Sequence, residues 1–168
     1  MRASLKCYRI ALAAALALAA PSRASSQSAT ESVTVVRVDG TEVHVSAATL
    51  ESLPRVKASV SAHGQSRSYE GVDLREVLTA AGAGPIDSLR GPTLRRVISI
   101  IASDGYRVVI ALSELDATLG AKTVLLANRA NGERLAASDG PWRLVVVGDA
   151  RPARSIRMVT RIEISEIR

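Results

Sequence analysis

Gly140-Pro141-Trp142-Arg143-Leu144-Val145-Val146-Val147-Gly148, followed by the run Arg154 to Ile164, decides how this chain is read. The first stretch holds an unbroken aliphatic run, the mark of a strand covered on both faces. In the second, Ile156, Met158, Ile162 and Ile164 alternate with Arg157, Arg161 and Glu163, the period of a half-buried strand. Between them, Asp149-Ala150-Arg151-Pro152-Ala153-Arg154-Ser155 is too basic and too kinked for a core segment. It is the first place to look for an anion site.

Working outward, the same patterns recur. Val33–Val38 and Thr41–Val45 flank Asp39-Gly40, and Arg96–Ala102 and Tyr106–Leu112 flank Ser103-Asp104-Gly105. Both read as hairpins, the first with a tight two-residue turn at Asp-Gly. Ser46 caps a short helix over Ala47–Leu53 that Pro54 ends, Arg55–Ala62 reads as a strand, and His63–Ser66 reads as a polar loop. Asp73 and Glu76 are spaced as a capping box ahead of a helix lined by Leu74, Val77 and Leu78 and ended by Gly82. Gly84-Pro85 and Gly91-Pro92 bracket a loop of weak pattern, Ser113–Asp116 reads as one helical turn, and Thr123–Ala127 reads as a buried strand. Strands outnumber helices without regular alternation, which predicts an α+β domain built mainly from mixed or antiparallel sheet with a few short helices.

Residues 1–24 have the form of a signal peptide: cationic Arg2, Lys6 and Arg9, an apolar centre from Ile10 to Ala20, and a small-x-small site at Ser22-Arg23-Ala24. Residues 25–32 read as a flexible tail and 33–168 as a single domain, so the expected location is periplasmic or secreted. With Arg2, Lys6, Arg9 and Arg23 removed, the 22 basic residues fall to 18 against 16 acidic ones, a balance of +2. The high pI therefore carries no argument for nucleic acid, and Tyr69, Tyr106 and Trp142 are too few for a base-stacking platform. No membrane association is expected after the leader. Cys7, the only cysteine, lies in the leader, so the remaining chain offers no thiolate.

The chain contains no nucleophile elbow, no H-E-x-x-H and no phosphate loop, and the acids Asp104, Glu114, Asp116 and Asp139 fall where turns and helix starts explain them. No catalytic residue and no metal ligand can be named from the residues. His44 reads as a surface strand residue, whereas His63 sits on a loop beside Gly64, where a side chain can face a cleft.

Several phrases then occur in a suggestive order. They are Tyr69-x-Gly71-Val72-x-Leu74-x-x-Val77-Leu78-x-x-Ala81-Gly82, Ala102-x-Asp104-Gly105-Tyr106 with Leu112-x-Glu114-Leu115, Asn131-Gly132-x-x-Leu135 through Gly140-Pro141-Trp142-Arg143-Leu144-Val145-Val146, and Arg154-Ser155-Ile156-Arg157-Met158-Val159-x-Arg161-Ile162. Together they resemble the oxidoreductase molybdopterin-binding domain of the sulfite oxidase superfamily, from about Val33 to Ile164. The resemblance implies an α+β fold with mixed sheet. It also implies a molybdenum held through a pterin dithiolene and one cysteine, on a segment that here is Val56–His63 and carries Ser59, Ser61 and His63 but no cysteine. By the same resemblance, Arg154, Ser155 and Arg157 occupy the place of the segment that grips the cofactor's phosphate, with Met158 where tryptophan is usual.

The expectation is thus an exported domain of this fold that binds a small anionic ligand or a protein partner without molybdenum catalysis, with no cofactor expected. The alternative is a molybdopterin-dependent oxidoreductase, or a subunit of one, that binds the cofactor through Arg154, Ser155, Arg157 and His63 without a cysteine ligand. A third reading is a purely structural sheet that docks a partner; the bland reading of Arg154 and Arg157 themselves is that they are solvated edge charges.

Overall fold

The computed structural model describes residues 31–62 and 64–167. The expected leader, most of the expected tail, and His63 lie outside the described residues. Among the described residues ten strands form two sheets. The first runs β2 (Glu42–Val45), β1 (Val33–Val36), β10 (Val159–Glu166), β5 (Arg96–Ala102) and β6 (Arg107–Ala111). Within it β1 and β10 pair in parallel and every other pair is antiparallel. The second runs β3 (Arg55–Ala62), β4 (Gln65–Asp73) and β7 (Val124–Ala130), with β8 (Glu133–Arg134) and β9 (Arg143–Val146) both pairing with β7. Among the described residues three short helices, α1 (Ala47–Ser52), α2 (Leu74–Ala80) and α3 (Leu112–Leu115), complete the mixed-sheet α+β architecture that the sequence pattern predicts.

The main core takes one face of the first sheet, through Val33, Val35, Ile98, Ile100, Ile162 and Ile164, with Leu50 of α1 and Leu74, Val77 and Leu78 of α2. Strand β7 explains why a continuous apolar run was needed. Val124 and Leu126 point into that core, while Leu125 and Ala127 point the other way and pack with Tyr69 and Val145. A strand apolar on alternate sides only would leave one of these faces wet. The helix caps match their chemistry: Ser46 Oγ accepts from Thr49 N at 3.1 Å, and Asp73 Oδ1 from Arg75 N at 2.9 Å.

Four expectations are corrected. First, Arg154 to Ile164 is not one strand: Pro152–Arg154 forms a 3-10 turn, Met158 takes a positive φ of 52°, and β10 begins only at Val159. The apparent alternation merges two segments with a left-handed break between them. Second, Gln65 and Ser66 are not loop but the start of β4, whose outer residues are polar because they are solvated. Third, the turn at Asp39-Gly40 is not a two-residue one. Arg37 N donates to Thr41 O and only Gly40 has positive φ, so three residues close the hairpin, and Ser103-Asp104-Gly105 repeats the device. A true two-residue turn does occur at Asn131-Gly132, where both residues have positive φ. Fourth, the strand within Gly140–Gly148 spans only Arg143–Val146.

Gly71 is required by packing. A Cβ there would lie 2.3 Å from Leu126 O and 2.4 Å from Ala127 Cα, because β4 bulges against β7 between Glu70 and Gly71.

Candidate functional site

The site forms on the face of the second sheet that turns away from the main core. Strand alternation places Val56, Ala58 and Val60 of β3, Arg67 and Tyr69 of β4, Leu125 and Ala127 of β7, and Arg143 and Val145 of β9 on this face. The segment from Asp149 to Arg157 lies along its edge. Two adjoining cavities share Arg143 and Ser155 as walls. One, of about 450 Å³, is lined by Val60, Arg67, Tyr69, Asn131, Arg143 and Ser155 among others. The other, of about 400 Å³, reaches Asp104, Tyr106, Asp139 and Arg157.

Tyr69 is the organising side chain. Its ring is 7% exposed, and the guanidinium carbons of Arg67 and Arg143 lie 5.8 and 5.7 Å from its centroid, within cation–π range. Asp139 holds both arginines, at 2.9 Å to Arg143 Nη1 and 3.6 Å to Arg67 Nη1. Arg143 Nη2 also reaches Ser155 O at 3.4 Å, while its Nε is buried without a hydrogen-bond partner. The two cavities together are lined by three guanidinium groups (Arg67, Arg143, Arg157) against two carboxylates (Asp104, Asp139), leaving one positive charge uncompensated. Arg157 is exposed at the cleft, and among the described residues no carboxylate or carbonyl pairs with it.

The residues singled out from the sequence are used differently from one another. Arg154 is held from two sides: Nε and Nη2 each donate to Asp149 at 2.8 Å, and Nη1 donates to Glu114 at 3.2 and 3.3 Å. Lys122 Nζ adds a contact to Asp149 at 2.9 Å. Hydrogen bonds from Arg154 first, with Lys122 supporting them, lower the Asp149 pKa to about 2, so that carboxylate stays charged. Ser155 Oγ accepts from Val146 N at 3.0 Å and pins the loop to β9 while still lining both cavities. Arg157 faces the cleft. His63 lies outside the described residues.

Three contributors escaped the sequence reading. Arg67 follows the polar loop read at His63–Ser66 and belongs to no element the sequence predicts, Tyr69 enters only in the family phrase and the aromatic count, and Asp139 reads as a turn residue. Once β4 is seen as a strand, the i, i+2 spacing of Arg67 and Tyr69 is the signal that puts both on one face.

Residues 30–168 match the family described as oxidoreductase molybdopterin binding domain. The chain belongs to this family. Among solved structures it is similar to the sulfane dehydrogenase SoxCD from Paracoccus pantotrophus, with a TM-score of 0.62 and 18% identity over 82% of this chain. That likeness shows the shared fold, and the chain spans only 38% of the length of that structure's chain. No curated protein matches the chain.

The family name raises the question of whether these residues fit a molybdenum-bearing pterin. Among the described residues nothing fits the metal end. The one cysteine, Cys7, lies outside the described residues, the cleft-facing positions of β3 are Val56, Ala58 and Val60, and no group of three His, Cys, Asp or Glu side chains able to hold a metal occurs among the described residues. An anionic group fits better, because the arginine wall carries excess positive charge and an unfilled guanidinium N–H. Among the described residues no helix is long and apolar enough to cross a membrane.

Proposed function

We propose that this domain is an exported, periplasmic or secreted binding module of the molybdopterin-domain fold, which takes a small anionic ligand in the arginine cleft without molybdenum catalysis. The observation that carries the reading is Arg157: an exposed guanidinium on the wall of a cavity, without an acidic partner among the described residues, beside two arginines stacked on Tyr69. A guanidinium fork matches carboxylate or phosphate oxygens and needs no metal to do so. In this reading Arg154 does not touch the ligand. It ties the loop to Asp149 and Glu114 so that Ser155 and Arg157 are presented from a fixed backbone.

The alternative is an oxidoreductase, or a subunit of one, that holds molybdopterin without a cysteine. Family membership and the two adjoining cavities support it, as does the fold shared with a structure named as a sulfane dehydrogenase. The same likeness, to a structure named as SoxCD, supports a protein partner as a second kind of occupant.

Purification from a host that makes molybdenum cofactor, followed by metal analysis and pterin fluorescence, separates the two. The binding-module reading expects neither signal. Stoichiometric molybdenum and pterin would overturn it.

A further inference from the structure

The opposite end of the first sheet carries a second group of arginines. Alternation along β5 puts Arg96 on the same side as Ile98 and Ile100, toward the core, and the residue after β1, Arg37, shares the side of Val33 and Val35. Both arginines meet beneath the turn that ends α2. Arg37 Nη1 comes within 3.9 Å of the position a Cβ on Gly82 would take, and Arg37, Arg96, Gly82, Ala83 and Gly84 line a recess of about 280 Å³.

An inward-pointing arginine at a sheet end should have a partner. Arg37 has one, Asp39 at 3.3 Å, on the rim and more than half exposed. Arg96 has none: no carboxylate or carbonyl pairs with it among the described residues, and its Nε is buried with no hydrogen bond. A buried donor left unmet is costly, and most are filled by protein, water or ligand. Two guanidinium groups against one carboxylate leave the recess one positive charge in excess. Its neighbour Arg95 is already engaged by Glu166 at 2.7 Å. The recess is separate from the arginine cleft, which borders Ala102 at the far end of β5. Six residue steps of about 3.3 Å place the two roughly 20 Å apart.

We propose that the Arg37–Arg96 recess is a second anion site, for a tetrahedral oxyanion or the phosphate group of a monoester. Two guanidinium groups approaching from different strands can each donate a pair of N–H bonds to separate edges of a tetrahedral group, whereas a planar carboxylate offers only one such edge.

The test is titration of the intact protein at constant ionic strength with inorganic phosphate, glycerol phosphate and acetate, while the Arg Nε–Hε resonances are followed by NMR. Phosphate and glycerol phosphate should shift the Arg96 and Arg37 signals saturably, with a dissociation constant on the order of 1 mM, and acetate should bind at least tenfold more weakly. Arg96→Leu should abolish these shifts; if it does not fold, Arg37→Gln is the variant to read, and should weaken binding tenfold or more. Arg157→Ala must leave the Arg96 response intact, because it removes only the cleft. An Arg96 signal unmoved by phosphate, a response lost in Arg157→Ala, or acetate binding as tightly as phosphate would each overturn the proposal. The cleft is read separately, from any phosphate response that persists in Arg96→Leu and is lost in Arg157→Ala.

Discussion

Replacing Arg154 by methionine keeps the aliphatic stem and removes the charge, which distinguishes an arginine that builds the cleft from one that holds a ligand in it. Four hydrogen bonds go, two to Asp149 and two to Glu114. Among the described residues Asp149 is left with Lys122 as its one cationic partner, and its side chain is 12% exposed, so water replaces the lost bonds poorly. Breaking a buried pair costs about 3–5 kcal/mol and an exposed pair costs about 0–1 kcal/mol. Arg154 itself is about a third exposed, with a side-chain accessibility of 32%, which places the expected loss near 2 kcal/mol. For a domain of this size about 3–4 °C is lost per kcal/mol, so the melting temperature should fall by roughly 6–8 °C. The assay is thermal unfolding followed by circular dichroism, with ligand titration of both proteins below their transitions. Any anion binding should survive, weakened only as the loop loosens. An unchanged melting temperature together with abolished anion binding would show that Arg154 serves the ligand and not the loop.

Acid should act through the same cluster. The Asp149 carboxyl is held down to about 2 by Arg154 and then Lys122. A depressed carboxylate contributes stability that is complete above its unfolded pKa of about 3.9 and is lost as pH falls toward the folded value. The wild type should therefore lose stability between about pH 4 and pH 2, and Arg154→Met should flatten that limb in acid-unfolding curves; parallel curves would argue against it. Arg157→Ala should leave stability within about 0.5 kcal/mol while weakening anion binding in the cleft, measured by calorimetry. A large fall in melting temperature would instead make Arg157 structural. Gly71→Ala forces a methyl into the backbone of β7 and should cost more than about 3 kcal/mol, visible as loss of the cooperative thermal transition. A soluble, normally melting Gly71→Ala protein would contradict the close approach of β4 and β7.

What could be read from the sequence was local. Alternation and apolar runs disclosed most strands, Ser46 and Asp73 announced their helices, and the ordered phrases around Gly71, Trp142 and Arg157 pointed to the family. These signals survive because each depends on neighbours within a few residues, through a cap, a turn or a period. The polar start of β4 was lost because an outward strand segment and a loop have the same composition, and with it went Arg67 as a cleft residue.

Tertiary structure alone decided how the charges are shared. In sequence Arg143, Arg154 and Arg157 are equivalent basic residues near one loop. Folding brings Glu114, 40 residues upstream, onto Arg154, brings Arg67 and Tyr69 of β4 onto the Asp139–Arg143 pair, and leaves Arg157 without a carboxylate among the described residues. Which cation is spent on the fold and which stays open to a ligand depends on long-range pairing across strands, and an electrostatic partner chosen by proximity in space leaves no mark on spacing along the chain. The absence of a thiol beyond Cys7, by contrast, was a property of composition, complete before any residue was placed.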